Sequence, residues 1–151
     1  MSISLLEFAD RINQILPLFQ REFTCKLTKE LLKSRITLPQ FLVLMILDKE
    51  TEATMGSLAR LMNVSTAAMT GSVARLVNSG FALRLDDPKD RRIVRIHLTP
   101  NGRKVLDKLK QQRRQTIIRL FKEISEEDRQ NYLRILTQIK DILVKEAPQG
   151  S

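Results

Sequence analysis

The chain contains one cysteine, one histidine and no tryptophan. The single cysteine, Cys25, excludes an internal disulfide and a cysteine-rich zinc site, and His97 has no second histidine or cysteine at metal-ligand spacing. No apolar run approaches the roughly 20 residues of a membrane-spanning helix. The N-terminal residues also lack the basic and then apolar pattern of a secretory signal. We therefore expect a cytoplasmic protein with no bound metal and no membrane partner.

The sequence also lacks the residue sets that mark most enzymes. It shows no Ser/His/Asp arrangement, no glycine-rich phosphate loop and no paired carboxylates that a cleft could bring together. The chain has only five glycines and five prolines. We therefore expect a protein that is not an enzyme and that needs no cofactor.

Positive charge is what the chain has in excess. Its 26 lysines and arginines oppose 17 aspartates and glutamates, which leaves a formal net charge of +9. Cationic side chains that neutralise phosphates release condensed counterions, so this balance favours a nucleic acid as partner over a membrane surface. With 151 residues, 42% of them hydrophobic, the chain can bury one core and is expected to form one domain.

Long amphipathic helices are predicted at both ends of the chain. Residues 4–33 place apolar side chains at helical spacing, and Pro17 within them predicts a kink or a helix in two pieces. Two further helices are predicted within residues 100–146, and the second should end at Ala147-Pro148. A single chain of this length is too short to bury so many apolar side chains in its own core. This predicts a homodimer in which a second subunit covers them.

Two short helices separated by a tight turn are predicted within the middle segment, residues 37–99. Thr54 can cap the first, Asn63 can make the turn, and Ser65 or Thr66 can cap the second. Such a pair has the layout of a helix-turn-helix, whose second helix enters the major groove of DNA by its N-terminal end.

The leading end of that second helix carries small side chains. Ser65, Thr66 and Thr70 can hydrogen-bond to phosphates or base edges, and Ala67 can touch a thymine methyl group. A face of small residues would equally suit packing on another helix. The helix alone therefore leaves both interpretations open.

A β-hairpin with a charged tip is predicted after this helix. Phe81, Leu83 and Leu85 alternate with Ala82, Arg84 and Asp86, and Val94, Ile96 and Leu98 alternate with Ile93, Arg95 and His97. The acidic residues of the tip lie beside three cations and lack the full ligand set of a metal site. The pattern therefore favours a tip that binds a polyanion over one that binds a metal.

Within the tip, Asp90 is expected to pair with Arg92 and to aim it at a minor groove. Lys89 and Arg91 would then contact phosphates. Most charge runs are only solvated turns, and this alternative would be preferred if no helix-turn-helix preceded the hairpin. The two features together favour DNA.

The order of these segments resembles the MarR family of winged helix-turn-helix regulators. The matching pieces are Thr37-Leu38-Pro39-Gln40, Leu58-Ala59-Arg60-Leu61, Ser65-Thr66-Ala67-Ala68-Met69-Thr70, Arg75-Leu76 with Gly80, Asp90-Arg91-Arg92, and Leu98-Thr99 with Gly102. The resemblance covers nearly the whole chain, and Asp90-Arg91-Arg92 is its most specific part. It implies a mainly α fold with a small β-hairpin, in which a winged helix-turn-helix core is flanked by long N- and C-terminal dimerisation helices.

By the same resemblance, the chain is one domain over residues 1–151, with a DNA-binding lobe at 37–99 and dimerisation helices at 4–33 and 100–146. It implies a homodimeric repressor on a pseudopalindromic operator. Each subunit would place the helix that begins at Ser65 or Thr66 in a major groove and the β-hairpin of residues 81–98, called the wing, in the flanking minor groove. Many relatives carry a basic residue where this chain has Gly71. Ser72 and Arg75 are therefore expected to compensate together with Thr70, and sequence discrimination is expected to be modest.

Regulation is also implied by the resemblance. Family members respond to small aromatic or anionic molecules that bind between the dimer helices and the DNA-binding lobe, and a subset senses peroxide through a cysteine near the N-terminus. Cys25, with Lys26 and Lys29 nearby, is the candidate redox residue, although a plain buried or half-buried helix cysteine is the preferred interpretation. A remaining alternative is a winged-helix module that binds protein, which the basic wing disfavours.

Overall fold

The computed structural model describes residues 2–146 and confirms a mainly α fold with a small antiparallel sheet. In chain order the elements are α1 (Leu5–Ser34), α2 (Leu38–Glu50), β1 (Glu52–Thr54), α3 (Met55–Leu61), α4 (Thr66–Asn78), β2 (Ala82–Asp86), β3 (Val94–Leu98), α5 (Pro100–Phe121) and α6 (Glu126–Glu146). The chain divides into two compact units between Arg113 and Arg114. The helix stop predicted at Ala147-Pro148 lies outside the described residues.

Helix α1 begins where its sequence predicts. The Ser4 hydroxyl accepts a hydrogen bond from the backbone N–H of Glu7 at 3.1 Å and so satisfies one of the free donors at the helix start. The helix then runs without a break through Pro17 to Ser34, so the alternative of two separate helices is wrong. None of the described helices is long and apolar enough to span a membrane.

Helix α2 lies at the centre of the core. Thr37 and Gln40 form a capping box, the Thr-x-x-Gln pattern at a helix start, with Gln40 N donating to Thr37 Oγ1 at 3.4 Å and Thr37 N donating to Gln40 Oε1 at 3.0 Å. The buried apolar side chains are Leu31, Ile36, Phe41, Val43, Leu44, Leu47, Ala53, Leu58, Ala59, Met69, Val73, Leu76, Ala82, Ile96, Leu106 and Leu109. Leu61 of α3, which helical spacing predicts to face inward, is instead 64% exposed.

The sheet has one strand more than the predicted hairpin. Its order is β1-β3-β2, and both pairings are antiparallel. Because Ala82 pairs with Leu98 and Arg84 with Ile96, the even-numbered positions of β2 share the face of β3 that holds the buried Ile96. Leu83 and Leu85 lie on the other face and are about half exposed, at 49% and 50%.

Thr99 joins three elements at the base of the sheet. Its hydroxyl donates to the carbonyl of Gly80 at 2.6 Å and accepts from the N–H of Gly102 at 3.0 Å, while its own N–H donates to the carbonyl of Phe81 at 3.2 Å. Gly80 has the positive φ of 76° that the stop after α4 requires. The end of α4, the start of β2 and the start of α5 are thereby held together.

The helices at the two ends expose apolar side chains along their length. Ser125 caps α6 by accepting from the N–H of Asp128 at 3.1 Å. No residue of α6 is buried. Its exposed apolar side chains are Tyr132, Leu133, Ile135, Leu136, Ile139, Ile142, Leu143 and Val144, and those of α1 include Leu5, Leu6, Phe8, Ile12, Ile15, Leu16, Leu18 and Phe19.

Candidate nucleic-acid interface

Helices α3 and α4 are each fixed at their start by a hydroxyl cap. Thr54 Oγ1 accepts from Ser57 N at 3.1 Å, and the Ser57 hydroxyl oxygen accepts from Thr54 N at the same distance. Asn63 makes the turn between the helices with a φ of 52°. Ser65, rather than Thr66, caps α4 by accepting from Ala68 N at 3.1 Å, so its own O–H can still donate.

Helix α4 buries one face and leaves its leading end accessible. Met69, Val73 and Leu76 are buried in the core, as their spacing predicts. Of the predicted contact residues, Ser65, Thr66, Ala67 and Arg75 are exposed, whereas Thr70 and Ser72 are half-buried. The Thr70 hydroxyl donates to the carbonyl of Thr66 at 2.8 Å, which leaves its oxygen free to accept.

An open groove of about 530 Å³ brings α4 and the wing together. It is lined by Thr54, Met55, Gly56, Thr66, Thr70, Arg84, Arg92, Ile93 and Val94. Of the predicted contact residues, Thr66, Thr70 and Arg92 line this groove, whereas Ser72 and Arg75 do not. Arg84 also lines the groove but is not among the predicted site residues, because the sequence does not show which face of β2 lies toward α4.

The tip of the wing holds the predicted ion pair. Asp90 accepts from Arg92 through both carboxylate oxygens, Nε to Oδ1 and Nη2 to Oδ2 each at 3.1 Å, and its Oδ1 also accepts from the backbone N–H of Arg92 at 3.0 Å. Such a two-point contact fixes the plane of a guanidinium. The Arg92 side chain remains 91% exposed. The hydrogen bonds from Arg92 lower the pKa of Asp90, which favours the charged form of that carboxylate.

The base of the wing holds a second acidic residue that is not among the predicted site residues. Asp87 is buried, and its carboxylate accepts hydrogen bonds from the N–H groups of Lys89 and Asp90 and from the Arg95 guanidinium. Arg95 also reaches Glu52 on β1, and His97 Nε2 lies 3.4 Å from the other carboxylate oxygen of Glu52. Across residues 2–146, no three His, Cys, Asp or Glu side chains are grouped as a metal site requires.

Cys25 lies far along α1 and is exposed. The preferred interpretation of a buried or half-buried cysteine is therefore wrong. Lys26 forms an ion pair with Glu22, Nζ to Oε1 at 3.3 Å, on the neighbouring turn. The ammonium group nearest in sequence is thus engaged with a carboxylate.

These elements define the class of fold. A helix-turn-helix followed by a β-hairpin, with a third short strand at the side of the hairpin, is a winged helix-turn-helix. Residues 36–94 match the model of the MarR family. YsmB, an uncharacterized HTH-type transcriptional regulator of Bacillus subtilis, is 31% identical over 93 residues, which are 62% of this chain and 64% of the relative. The chain thus covers just under two thirds of that relative's length.

Solved structures extend the likeness beyond the winged lobe. A MarR family protein from Bacillus stearothermophilus is 21% identical with a TM-score of 0.82, and the match covers 94% of this chain and 99% of that one. RV1404 from Mycobacterium tuberculosis is 28% identical with a TM-score of 0.79, and the match covers 99% and 98% of the two chains. The chain is thus similar to MarR family proteins, by the family match over residues 36–94 and by its fold.

Proposed function

We propose that the protein is a homodimeric transcriptional repressor that binds pseudopalindromic duplex DNA. Each subunit would place the start of α4 in a major groove and its wing in the flanking minor groove, with half-sites roughly 10 base pairs or one helical turn apart. Residues 37–99 would form the DNA-binding lobe. Residues 4–33 and 100–146 would supply the dimer interface, which is supported by their exposed apolar side chains.

The observation that carries this proposal is the arrangement of Arg92. Asp90 holds its guanidinium by two points while the side chain stays 91% exposed, which suits an arginine that enters a narrow groove. Thr66 and Thr70, at the start of α4, line the same groove of the protein surface as Arg92. The net charge of +9 agrees with a polyanionic partner.

Removing Arg92 is expected to weaken duplex binding by about 1–3 kcal/mol per wing, because both a fixed groove contact and a charge are lost. The operator is first selected from a random duplex library. Binding of the parent and of Arg92→Ala is then measured by fluorescence anisotropy between about 50 and about 200 mM salt, where the salt slope reports the number of phosphate contacts.

Arg91→Ala is the matched control for this experiment. Arg91 is the neighbouring exposed arginine of the tip, so the substitution removes the same charge but not the Asp90-held guanidinium. Both variants should flatten the salt dependence, whereas Arg92→Ala should lose additional affinity at every salt concentration. Coincident isotherms for Arg92→Ala and the parent would refute the wing assignment. A parent that binds no duplex at all would favour the protein-binding alternative.

A small aromatic or anionic effector that releases the DNA is a further part of the proposal. The groove between α4 and the wing supports it, since its volume of about 530 Å³ suits a small molecule and two arginines, Arg84 and Arg92, are among its lining residues. This groove lies within the proposed DNA-binding lobe, residues 37–99, whereas the resemblance implies a ligand site between that lobe and the dimerisation helices. A carboxylate bound here would compete with DNA for Arg92.

Benzoate is a suitable probe for this effector. As a competitor for Arg92, it is expected to weaken operator binding of the parent by about tenfold when its free concentration is about ten times its own dissociation constant. Arg84→Ala should weaken operator binding by no more than about one phosphate contact, and it should respond less to benzoate than the parent does, because Arg84 would hold the carboxylate. Equal release of the parent and of Arg84→Ala would place the benzoate site elsewhere, and no release of either would exclude aromatic acids as effectors.

A further inference from the structure

The wing is connected to the helix-turn-helix through a series of ion pairs between charged side chains. Arg95, on β3, donates from Nε to Asp87 Oδ2 at 2.8 Å and from Nη1 to Glu52 Oε1 at 2.9 Å. Glu52 is the first residue of β1, and β1 ends at Thr54, the cap of α3. The chain of contacts therefore begins at the wing tip and ends at the first helix of the helix-turn-helix.

Asp87 stands at the wing end of this chain and also organises the tip. Its Oδ1 accepts from the N–H groups of Lys89 at 2.8 Å and of Asp90 at 3.3 Å, and its own N–H donates to the carbonyl of Ile93 at 2.9 Å. The side chain is only 10% exposed. One carboxylate oxygen thus holds the tip while the other holds β3.

The tip needs such an anchor because the sheet does not reach it. The pairing of β2 with β3 ends at Asp86 and Val94, so residues 87–93 extend beyond the sheet. The N–H groups of Lys89 and Asp90 and the Arg95 guanidinium lower the pKa of Asp87, with the Lys89 contact contributing most. The carboxylate therefore stays charged at neutral pH and can hold both groups throughout the range in which the protein would bind DNA.

We propose that Asp87 is a positioning residue for DNA binding, which fixes the direction of Arg92 relative to α4 through Arg95 and Glu52. This inference rests on the proposed function. Asp87 itself is buried and need not touch DNA. Its effect on affinity should depend on Arg92, whereas a residue that only supports folding would lower the affinity of every variant alike.

A double-mutant cycle in operator binding tests this dependence. Asp87→Asn keeps an oxygen for the two N–H groups but loses the charge that holds Arg95, and it is expected to weaken binding on the order of tenfold, as for one charge-assisted hydrogen bond. Arg92→Ala should then cost clearly less affinity in the Asp87→Asn background than in the parent. If the fold loss of operator affinity in the double variant equals the product of the fold losses in the two single variants, Asp87 does not act through Arg92.

Asp86→Asn is the matched control, since Asp86 is the adjacent carboxylate and is exposed. Removing a negative charge near DNA should by itself leave binding unchanged or slightly stronger. A loss in Asp87→Asn but not in Asp86→Asn shows that the loss does not come from removing a negative charge, and an equal response of the two variants would overturn the proposal.

A second variant covers the case in which Asp87→Asn does not fold. Glu52→Gln loosens the same chain two contacts away from the tip, at a side chain that is 41% exposed. Glu52→Gln should lower operator affinity less than Asp87→Asn does, and its effect should also become smaller in the Arg92→Ala background. Unchanged operator affinity in Glu52→Gln would contradict the proposal. If the parent binds no duplex, both the proposed function and this inference are wrong. If the parent binds but the affinity losses of Asp87→Asn and Arg92→Ala are independent, only this inference is wrong.

Discussion

Alanine in place of Gly102 is expected to lower the free energy of unfolding by about 3 kcal/mol, the upper range for forcing an atom into a packed site. A Cβ at this position would lie far inside contact distance of the Phe81 carbonyl oxygen and 2.8 Å from Leu98 Cδ1. The leucine side chain can move, but the carbonyl belongs to backbone that is held by Thr99. The start of α5 would have to shift away from the sheet.

Gly71→Ala provides the control for this prediction. Gly71 also lies in a helix, but a Cβ there would have no neighbour within 4 Å. Alanine is the better helix former, so this variant should gain up to about 1 kcal/mol. Denaturant unfolding followed by circular dichroism compares the two variants with the parent. If Gly102→Ala also unfolds at or above the parent's midpoint, α5 does not approach Phe81 as closely as described.

Glutamate in place of Ile139 is expected to dissociate the proposed dimer at micromolar concentration. Ile139 lies within the apolar stripe of α6 and is 45% exposed in the single chain. In a twofold dimer the interface would receive two carboxylates without partners, one from each subunit, and burying each costs several kcal/mol. We expect the dissociation constant of the dimer to rise by about a hundredfold or more. Operator affinity should fall with it, because a monomer contacts only one half-site.

Thr137→Glu is the control on the same helix. It adds the same charge two residues away, which is about 200° around the helix and thus on the opposite face. No residue of α6 is buried within the chain, so neither substitution should unfold the subunit. Sedimentation velocity gives the oligomeric state, and circular dichroism confirms the helix content. A monomeric parent, or an Ile139→Glu variant that remains dimeric, would contradict the assignment of α6 to the interface.

The starts and ends of the helices could be predicted from the sequence because their causes are local. The Thr37 and Gln40 capping box, the turn at Asn63 and the stop at Gly80 each depend on groups within a few residues of one another. The Asp90–Arg92 pair is local in the same sense, at a separation of two residues. The DNA-binding roles assigned to α4 and the wing remain predictions.

Other features could not be predicted because they depend on segments that are distant in the chain. Strand β1 has only three residues and forms because β3 offers it a partner. The Arg95 contact with Glu52 joins residues 43 positions apart, and no spacing rule connects them. The exposure of Leu83 and Leu85 follows from the register of β2 with β3, since alternation shows that a strand has two faces but not which one is buried.

By itself, therefore, the sequence determined the order of the helices and of the hairpin, most of the helix caps and the paired arginine of the wing, because hydrogen bonds between near neighbours decide the caps and the pair. Only the tertiary structure decided that Arg84 shares a groove with Thr66 and Thr70, that Asp87 links the wing tip to β1, and that Gly102 leaves no room for a Cβ. Each of these depends on the distance between two segments after packing, and that distance is not encoded in the spacing of residues along either segment.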